Sequence, residues 1–260
     1  MTPALLGNLS VSLALAFSLL GLALALLAYF QGDGRFLRGA RTLVPLAFLG
    51  ALAAFLALEW ALLTHDFSLA YVARNHSTKD PLWVTLVTPW AALEGSLLLW
   101  GLLQTLYTLL ASKKALDPWR ASLVLAVLYG IQVFFFGVMA TIASPFEILA
   151  SPPQDGVGPN PLLQNHWMMA VHPVLMYLGF VGLSVPYAYA VAAMAVRRYQ
   201  TWVEETRWWT LVAWGFLTAG KVAGMWWSYE VLGWGGYWAW DPVENASFVP
   251  WLLATAFLHT

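Results

Sequence analysis

The sequence predicts an all-α polytopic integral membrane protein, with about seven transmembrane helices and an external loop rich in tryptophan. Three observations predict it. Hydrophobic residues make up 60% of the chain and charged ones only 10%, where soluble domains carry about 25% charged. The apolar residues fall into long runs, near the roughly 20 residues an α-helix needs to cross a bilayer. The basic residues concentrate on alternate loops.

The runs are 4–30, 42–63, 88–111, 119–142, 171–196, 208–228 and 243–260. The first has no basic residue before it and exceeds a signal-peptide core, so it reads as a retained span. The fourth opens at Asp117-Pro118, an N-cap acceptor before Pro at the first helical position. The fifth opens at His172-Pro173, which sets the histidine at its mouth. The sixth contains Lys221. The seventh opens at Asp241-Pro242, and Glu244 completes a capping-box pattern. It carries Pro250 near its middle and reaches Thr260 without a basic flank, so the chain is expected to continue in nature.

Charge sets the expected topology. Arg35, Arg38, Arg41, Lys113, Lys114, Arg120, Arg197, Arg198 and Arg207 fall on one set of loops, and only Arg74 and Lys79 on the other. The positive-inside rule then puts the N-terminus, the 64–87 and 143–170 loops and the Trp-rich loop outside. His65, His76, His166 and His172 share that side. A net charge of −1 without a basic patch argues against a nucleic-acid partner. Cysteine is absent, which excludes disulfides and thiolate chemistry within these residues.

Trp234-Gly235-Gly236-Tyr237-Trp238-Ala239-Trp240-Asp241 is the stretch richest in chemistry. Six of the 16 tryptophans lie between Trp226 and Trp251. An interfacial aromatic belt explains scattered residues such as Trp83, Trp90 and Trp119. A cluster punctuated by Gly233, Gly235 and Gly236 points instead to a flat wall for a planar, apolar ligand anchored at its rim, and haem fits that description.

Other residues carry two readings each. Asp241 and Glu244 read as caps before they read as catalytic carboxylates, and no acid or base is assigned. His172 is either an axial ligand of haem iron or a surface imidazole. His259 lies about 18 residues after its N-cap, roughly 27 Å along a straight helix, and reads as a ligand to a membrane-embedded haem or a helix-to-helix hydrogen bond. Glu94 and Lys221 fall at similar estimated depth, either as a buried pair or with Lys221 snorkelling outward. His65, His76 and His166 read as solvated loop residues.

Several segments resemble a known family. Trp234 to Trp251 resembles the WWD domain of the haem-handling proteins of cytochrome c biogenesis, and its Asp-Pro-Val-Glu-Asn-Ala-Ser continuation is similar to the CcmF-type haem lyase subunits. Asn160-Pro161-Leu162-Leu163-Gln164, then His172-Pro173 and Tyr177-Leu178-Gly179-Phe180-Val181-Gly182, resembles the family segment with its first external haem-ligand histidine. Glu94-Gly95-Ser96-Leu97-Leu98-Leu99-Trp100 resembles a further signature. The shorter haem exporters of the same WWD group lack the Pro-Val-Glu-Asn-Ala-Ser continuation. Two residues depart from the family: Val174 replaces a second proline, and Lys221 stands where the family is apolar.

The resemblance implies one membrane-embedded haem-handling domain over 1–260, with the WWD segment at 229–251. It implies haem b as the cofactor, with substrate haem at the external site and a second b-type haem in the membrane. His172 and His259 would be the iron ligands. Trp226, Trp227, Trp234, Gly235, Gly236, Trp238, Trp240, Asp241 and Glu94 would line the cofactor. The implied activity is haem lyase: haem arrives from a CcmE-like chaperone and joins an apocytochrome c by thioether bonds, with a CcmH-like thiol partner and a quinol as electron source. The implied location is the bacterial inner membrane, with the N-terminus and WWD loop periplasmic. Family members are more than twice as long, so the second ligand of each haem would lie beyond Thr260 or on another polypeptide. A haem transporter, a non-catalytic assembly subunit and a lyase dedicated to nitrite reductase are the alternative functions.

Overall fold

The computed structural model describes residues 2–260 except 115, 165, 198 and 232–235. Among the described residues all regular elements are helical, and Leu69 and Ile148 form an isolated antiparallel bridge. The chain divides into two compact units, Met1–Asn160 and Pro161–Thr260.

The first unit opens with α1 (Pro3–Gln31). Thr2 caps it by accepting from the Leu5 N–H, and Gly32 ends it in the left-handed conformation at φ 68°. Asp33 immediately caps α2 (Gly34–Leu63) through the Arg35 N–H. The predicted loop from 31 to 41 is therefore almost all helix, because a glycine stop and an aspartate start sit side by side. Short helices α3 (Ala70–Asn75) and α4 (Leu82–Val87) follow, then a 3₁₀ turn, Thr88–Trp90. α5 (Leu93–Ala111) and α6 (Pro118–Thr141) complete the unit, and Asp117 caps α6 through the Arg120 N–H as predicted.

Small residues let these helices pack closely, as membrane helices require. A Cβ on Gly50 of α2 would come within 3.2 Å of the Ala14 backbone on α1. One on Gly21 would enter the Tyr129 ring of α6. Buried polar side chains tie the same helices. Ser18 bonds Gln132 Oε1 at 2.9 Å, the Gln132 amide donates to Thr108 at 2.7 Å, and the Tyr129 hydroxyl donates to the Ala40 carbonyl at 2.7 Å. The outward faces are leucine-rich, with Leu5, Leu20, Leu49 and Leu56 all exposed, as expected of a surface bathed in lipid.

The second unit contains α7 (Pro161–Gln164), α8 (Met168–Gly182), α9 (Ser184–Ala195), α10 (Trp202–Val231) and α11 (Pro242–Leu258). α8 and α10 run antiparallel along a glycine seam. Cβ atoms added at Gly224, Gly220 and Gly179 would meet His172, Met176 and Leu217 in turn. α11 runs back along another side of α10. The Trp214 indole donates to Thr255 at 2.7 Å, the Trp251 indole to Thr218 at 2.7 Å, and Lys221 Nζ to Ser247 Oγ at 3.0 Å. The capping box at the start of α11 is present in full: Asp241 accepts the Glu244 N–H, and Glu244 accepts the Asp241 N–H.

All seven predicted runs fall on helices. Five helices among the described residues are long and apolar enough to cross a membrane: α1, α2, α5, α6, and α8 with α9 counted together. α10 carries Glu204, Glu205 and Arg207 near its start and Lys221 further along, and α11 has 17 residues.

Candidate functional site

His172 lies five residues into α8, with Pro173 inside the helix. The expectation that His172-Pro173 marks the helix mouth is corrected by a start at Met168. The His172 Nδ1 is 2.8 Å from the Gly220 carbonyl oxygen. A carbonyl only accepts, so Nδ1 carries the proton and Nε2 keeps its lone pair. Metal-ligating histidines are oriented in this manner, by a backbone acceptor on the other ring nitrogen. The ring is partly buried against the Gly220–Gly224 stretch, and Trp227 meets it edge-on at 5.7 Å between centroids.

Trp226 and Trp227 stand on α10 just beyond this seat. Trp226 is exposed and packs edge-on against Trp167 at 5.4 Å, and its indole donates to Glu230. Glu230 also receives His166 Nε2 at 2.6 Å, so His166 is paired rather than simply solvated. Ser228 Oγ donates to the Gly236 carbonyl at 3.0 Å and ties the Trp-rich segment back to α10. Gly236 has φ 61°, a conformation glycine adopts without cost. Trp234, Gly235 and Gly233 lie outside the described residues.

Trp238 is half-buried between Trp240 at 5.8 Å, Phe248 at 5.7 Å and the Lys221 ammonium at 4.7 Å. Trp240 is 65% exposed and adopts φ 58°. A bulky residue in that region is strained, and Asn245 holds it by donating to the Trp240 carbonyl at 3.0 Å. The indole N–H groups of Trp227 and Trp238 are buried without an acceptor. Buried donors normally have partners, so a group left without one calls for an explanation. Both can donate to an acidic rim.

Asp241 and Glu244 are accounted for by capping, and Glu244 also accepts the Ala239 N–H at 2.8 Å. Lys221 does not snorkel. It is 8% exposed, bonded to Ser247, and lies over Trp238, Phe248 and Trp251. Glu94 is not deep in a span. The turn at Thr88–Trp90 delays α5, so Glu94 is its second residue, where the helix dipole favours a carboxylate. Tyr71 sets that turn by donating to the Thr88 carbonyl at 2.8 Å and accepting from Ala92 N–H at 3.3 Å. His259 is the C-cap residue of α11, one position past its last turn, and is exposed.

Two features escaped the sequence reading. Glu59 in α2 has both carboxylate oxygens buried without a hydrogen-bond partner. The Gly220-Lys221-Val222-Ala223-Gly224 spacing that seats His172 is a small-residue packing motif legible in the sequence.

The model of the cytochrome C assembly protein family matches residues 90–260. This chain belongs to that family. The cytochrome c-type biogenesis protein CcmF of Pseudomonas aeruginosa is 42% identical over 259 residues, which is 98% of this chain and 39% of the relative. That of Escherichia coli is 41% identical over 261 residues, 98% of this chain and 40% of the relative. A solved structure titled cytochrome c heme lyase CcmF is 88% identical, with a TM-score of 0.91, covering 100% of this chain and 42% of that one. The chain thus spans about two fifths of the length of these relatives. The CcmF-like resemblance and the all-α membrane architecture are both borne out, and this member of the cytochrome c assembly family is a multi-pass membrane protein.

Proposed function

We propose that the second unit presents haem during cytochrome c maturation, as part of a CcmF-type haem lyase. The observation that carries this reading is the His172–Gly220 hydrogen bond, which leaves Nε2 of His172 as a lone pair oriented for iron. The donor set around it fits the group. Trp227 borders the imidazole, and the acceptorless indole N–H groups of Trp227 and Trp238 suit the carboxylates of a porphyrin rim. The exposed faces of Trp226 and Trp240 suit an apolar plane.

When bound, haem supplies the vinyl groups across which two cysteine thiols of an apocytochrome c add. This chain would contribute the His172 nitrogen that holds the iron, the aromatic wall and orientation, all of which act by binding and positioning. None of these 260 residues is a cysteine, so none of them adds a thiol beside those of the client. On this reading a CcmE-like chaperone delivers haem b at the periplasmic face of the inner membrane, a CcmH-like partner handles the client thiols, and a quinol supplies reducing electrons. His259 is the residue that would hold the iron of a second, membrane-embedded b-type haem.

The test is His172→Ala in the full-length protein. External haem binding, read from the absorbance of purified protein, and holocytochrome c yield should both be lost, while membrane insertion is retained. Normal yield and haem binding in that variant would overturn the assignment.

A further inference from the structure

The His172 seat has two unlike flanks. Lys221 and Glu230 both stand on α10. At about 100° and 1.5 Å per residue they face opposite sides of that helix, about 13 Å apart along its axis. Gly220 and Gly224, against which His172 packs, fall between them on the face toward α8.

On one flank Glu230 is 46% exposed. One of its oxygens accepts the Trp226 indole N–H, and the other lies 2.6 Å from His166 Nε2. The Met168 N–H donates to His166 Nδ1 at 3.2 Å, so the proton of that ring is on Nε2 and points at Glu230. Trp167 stacks on His166 with centroids 5.9 Å apart and meets Trp226 edge-on, which closes a ring of four side chains. Glu230 thus takes up the Trp226 and His166 N–H groups. It leaves aromatic faces beside a half-exposed negative charge.

The other flank is short of acceptors. Lys221 is buried and its ammonium has three protons. Among the described residues one goes to a hydrogen-bond acceptor, Ser247 Oγ at 3.0 Å. The ammonium lies over the Trp238 ring at 4.7 Å, and the Trp238 indole N–H is buried without an acceptor. Glu244 attracts Lys221 from the start of α11, but its Oε2 is turned to the Ala239 and Asp241 N–H groups. Asp241 is likewise turned to the Glu244 N–H. An ammonium and an indole N–H side by side suit the two oxygens of one carboxylate, and the bond to the ammonium is charge-assisted.

We propose that Lys221 and Trp238 form the seat for a carboxylate of a bound porphyrin, and that Glu230 keeps such carboxylates off the opposite flank. This rests on the haem reading above and deepens it. Haem carries its two carboxylates on one edge of a flat, apolar ring. Like charges repel at the Glu230 flank, where the exposed face of Trp226 suits the edge without carboxylates. The two flanks together set which way round the ligand lies, while His172 sets where it lies.

The experiment compares haem with haem dimethyl ester, which has the same ring and iron but no carboxylate charge. Both are titrated by absorbance into the full-length protein in detergent. The wild type should bind haem at least about tenfold more tightly than the ester. Lys221→Met should bring that ratio to about threefold or less, and Lys221→Arg should restore it. Glu230→Gln should leave the ratio within about threefold of wild type, because the carboxylates lie on the other flank. The ratio is the readout because a loosened fold weakens both compounds alike. Equal wild-type affinities, an unchanged ratio in Lys221→Met, or a tenfold rise in Glu230→Gln would each overturn the placement. If Lys221→Met fails to fold, Trp238→Phe keeps a ring without the N–H and should lower the ratio about threefold or more. Binding of neither compound to the wild type would sink the haem reading itself, whereas equal binding of both sinks the placement alone.

Discussion

Gly224 of α10 sits so close to His172 of α8 that a Cβ there would stand 2.6 Å from the imidazole Cε1 and 2.9 Å from Nδ1. Real Cβ atoms do not approach that closely, so the ring must move. Gly224→Ala should therefore displace His172 from the Gly220 carbonyl without removing the ligand itself. The expected result is at least about tenfold weaker haem binding, equivalent to about 1.4 kcal/mol, with helix content and insertion unchanged. Haem titration followed by absorbance reads it, and wild-type affinity would mean the seat does not orient the ring.

How much of this was legible in the sequence depends on how local each cause is. Asp117 and Asp241 announce their helix starts because cap, proline and acceptor are neighbours in the chain. The orientation of His172 depends on a carbonyl 48 residues away, which no local pattern encodes. His76 read as solvated, yet it is buried, and its carbonyl takes the N–H of Gly158 from far along the chain. Glu94 was placed too deep because Thr88-Pro89-Trp90 looks apolar but turns in a 3₁₀ helix. Among the residues in question, Trp234 and Gly235 lie outside those described.

Asp241 distinguishes capping from ligand binding. Asparagine caps about as well as aspartate, whereas alanine costs about 1 kcal/mol. Asp241→Asn should keep both thermal stability and haem binding, and Asp241→Ala should lower the midpoint by a few degrees. Loss of haem binding in Asp241→Asn with unchanged stability would assign the carboxylate to the ligand instead.

Lys221 has a hydroxyl and three aromatic rings around its ammonium, all within its own unit. Cation–π contacts of this kind contribute about 0.5–2 kcal/mol when shielded from water. Lys221→Met should destabilise the protein and loosen Trp238, seen as a change in tryptophan fluorescence. Because Ser247 shares the contact, Lys221→Met and Ser247→Ala should be non-additive in a double-mutant cycle on detergent thermal stability, by at least about 0.5 kcal/mol. Simple additivity would show that the hydrogen bond contributes nothing beyond the rings.

Asp155 clamps the segment over His76 to the residues that follow α3. Its carboxylate accepts the Thr78 N–H at 2.9 Å, the Thr78 hydroxyl at 2.9 Å and the Ser77 hydroxyl at 3.2 Å. These hydrogen bonds, the Thr78 backbone one foremost, hold its pKa down at about 2, below the ordinary value of 3.8. A depressed carboxylate pKa means the charged form is favoured by the folded loop, so the contribution is complete above pH 3.8 and disappears as pH falls through about 2. Asp155→Asn should therefore speed hydrogen exchange at the Thr78 amide relative to wild type at pH 6, and the two proteins should converge as the pH approaches 2. The mass-spectrometric exchange rate of the peptide containing Thr78, taken along a pH series and corrected for intrinsic rates, measures this. Equal protection in the two proteins at pH 6 would show that the clamp is held by the neutral amide as well as by the carboxylate.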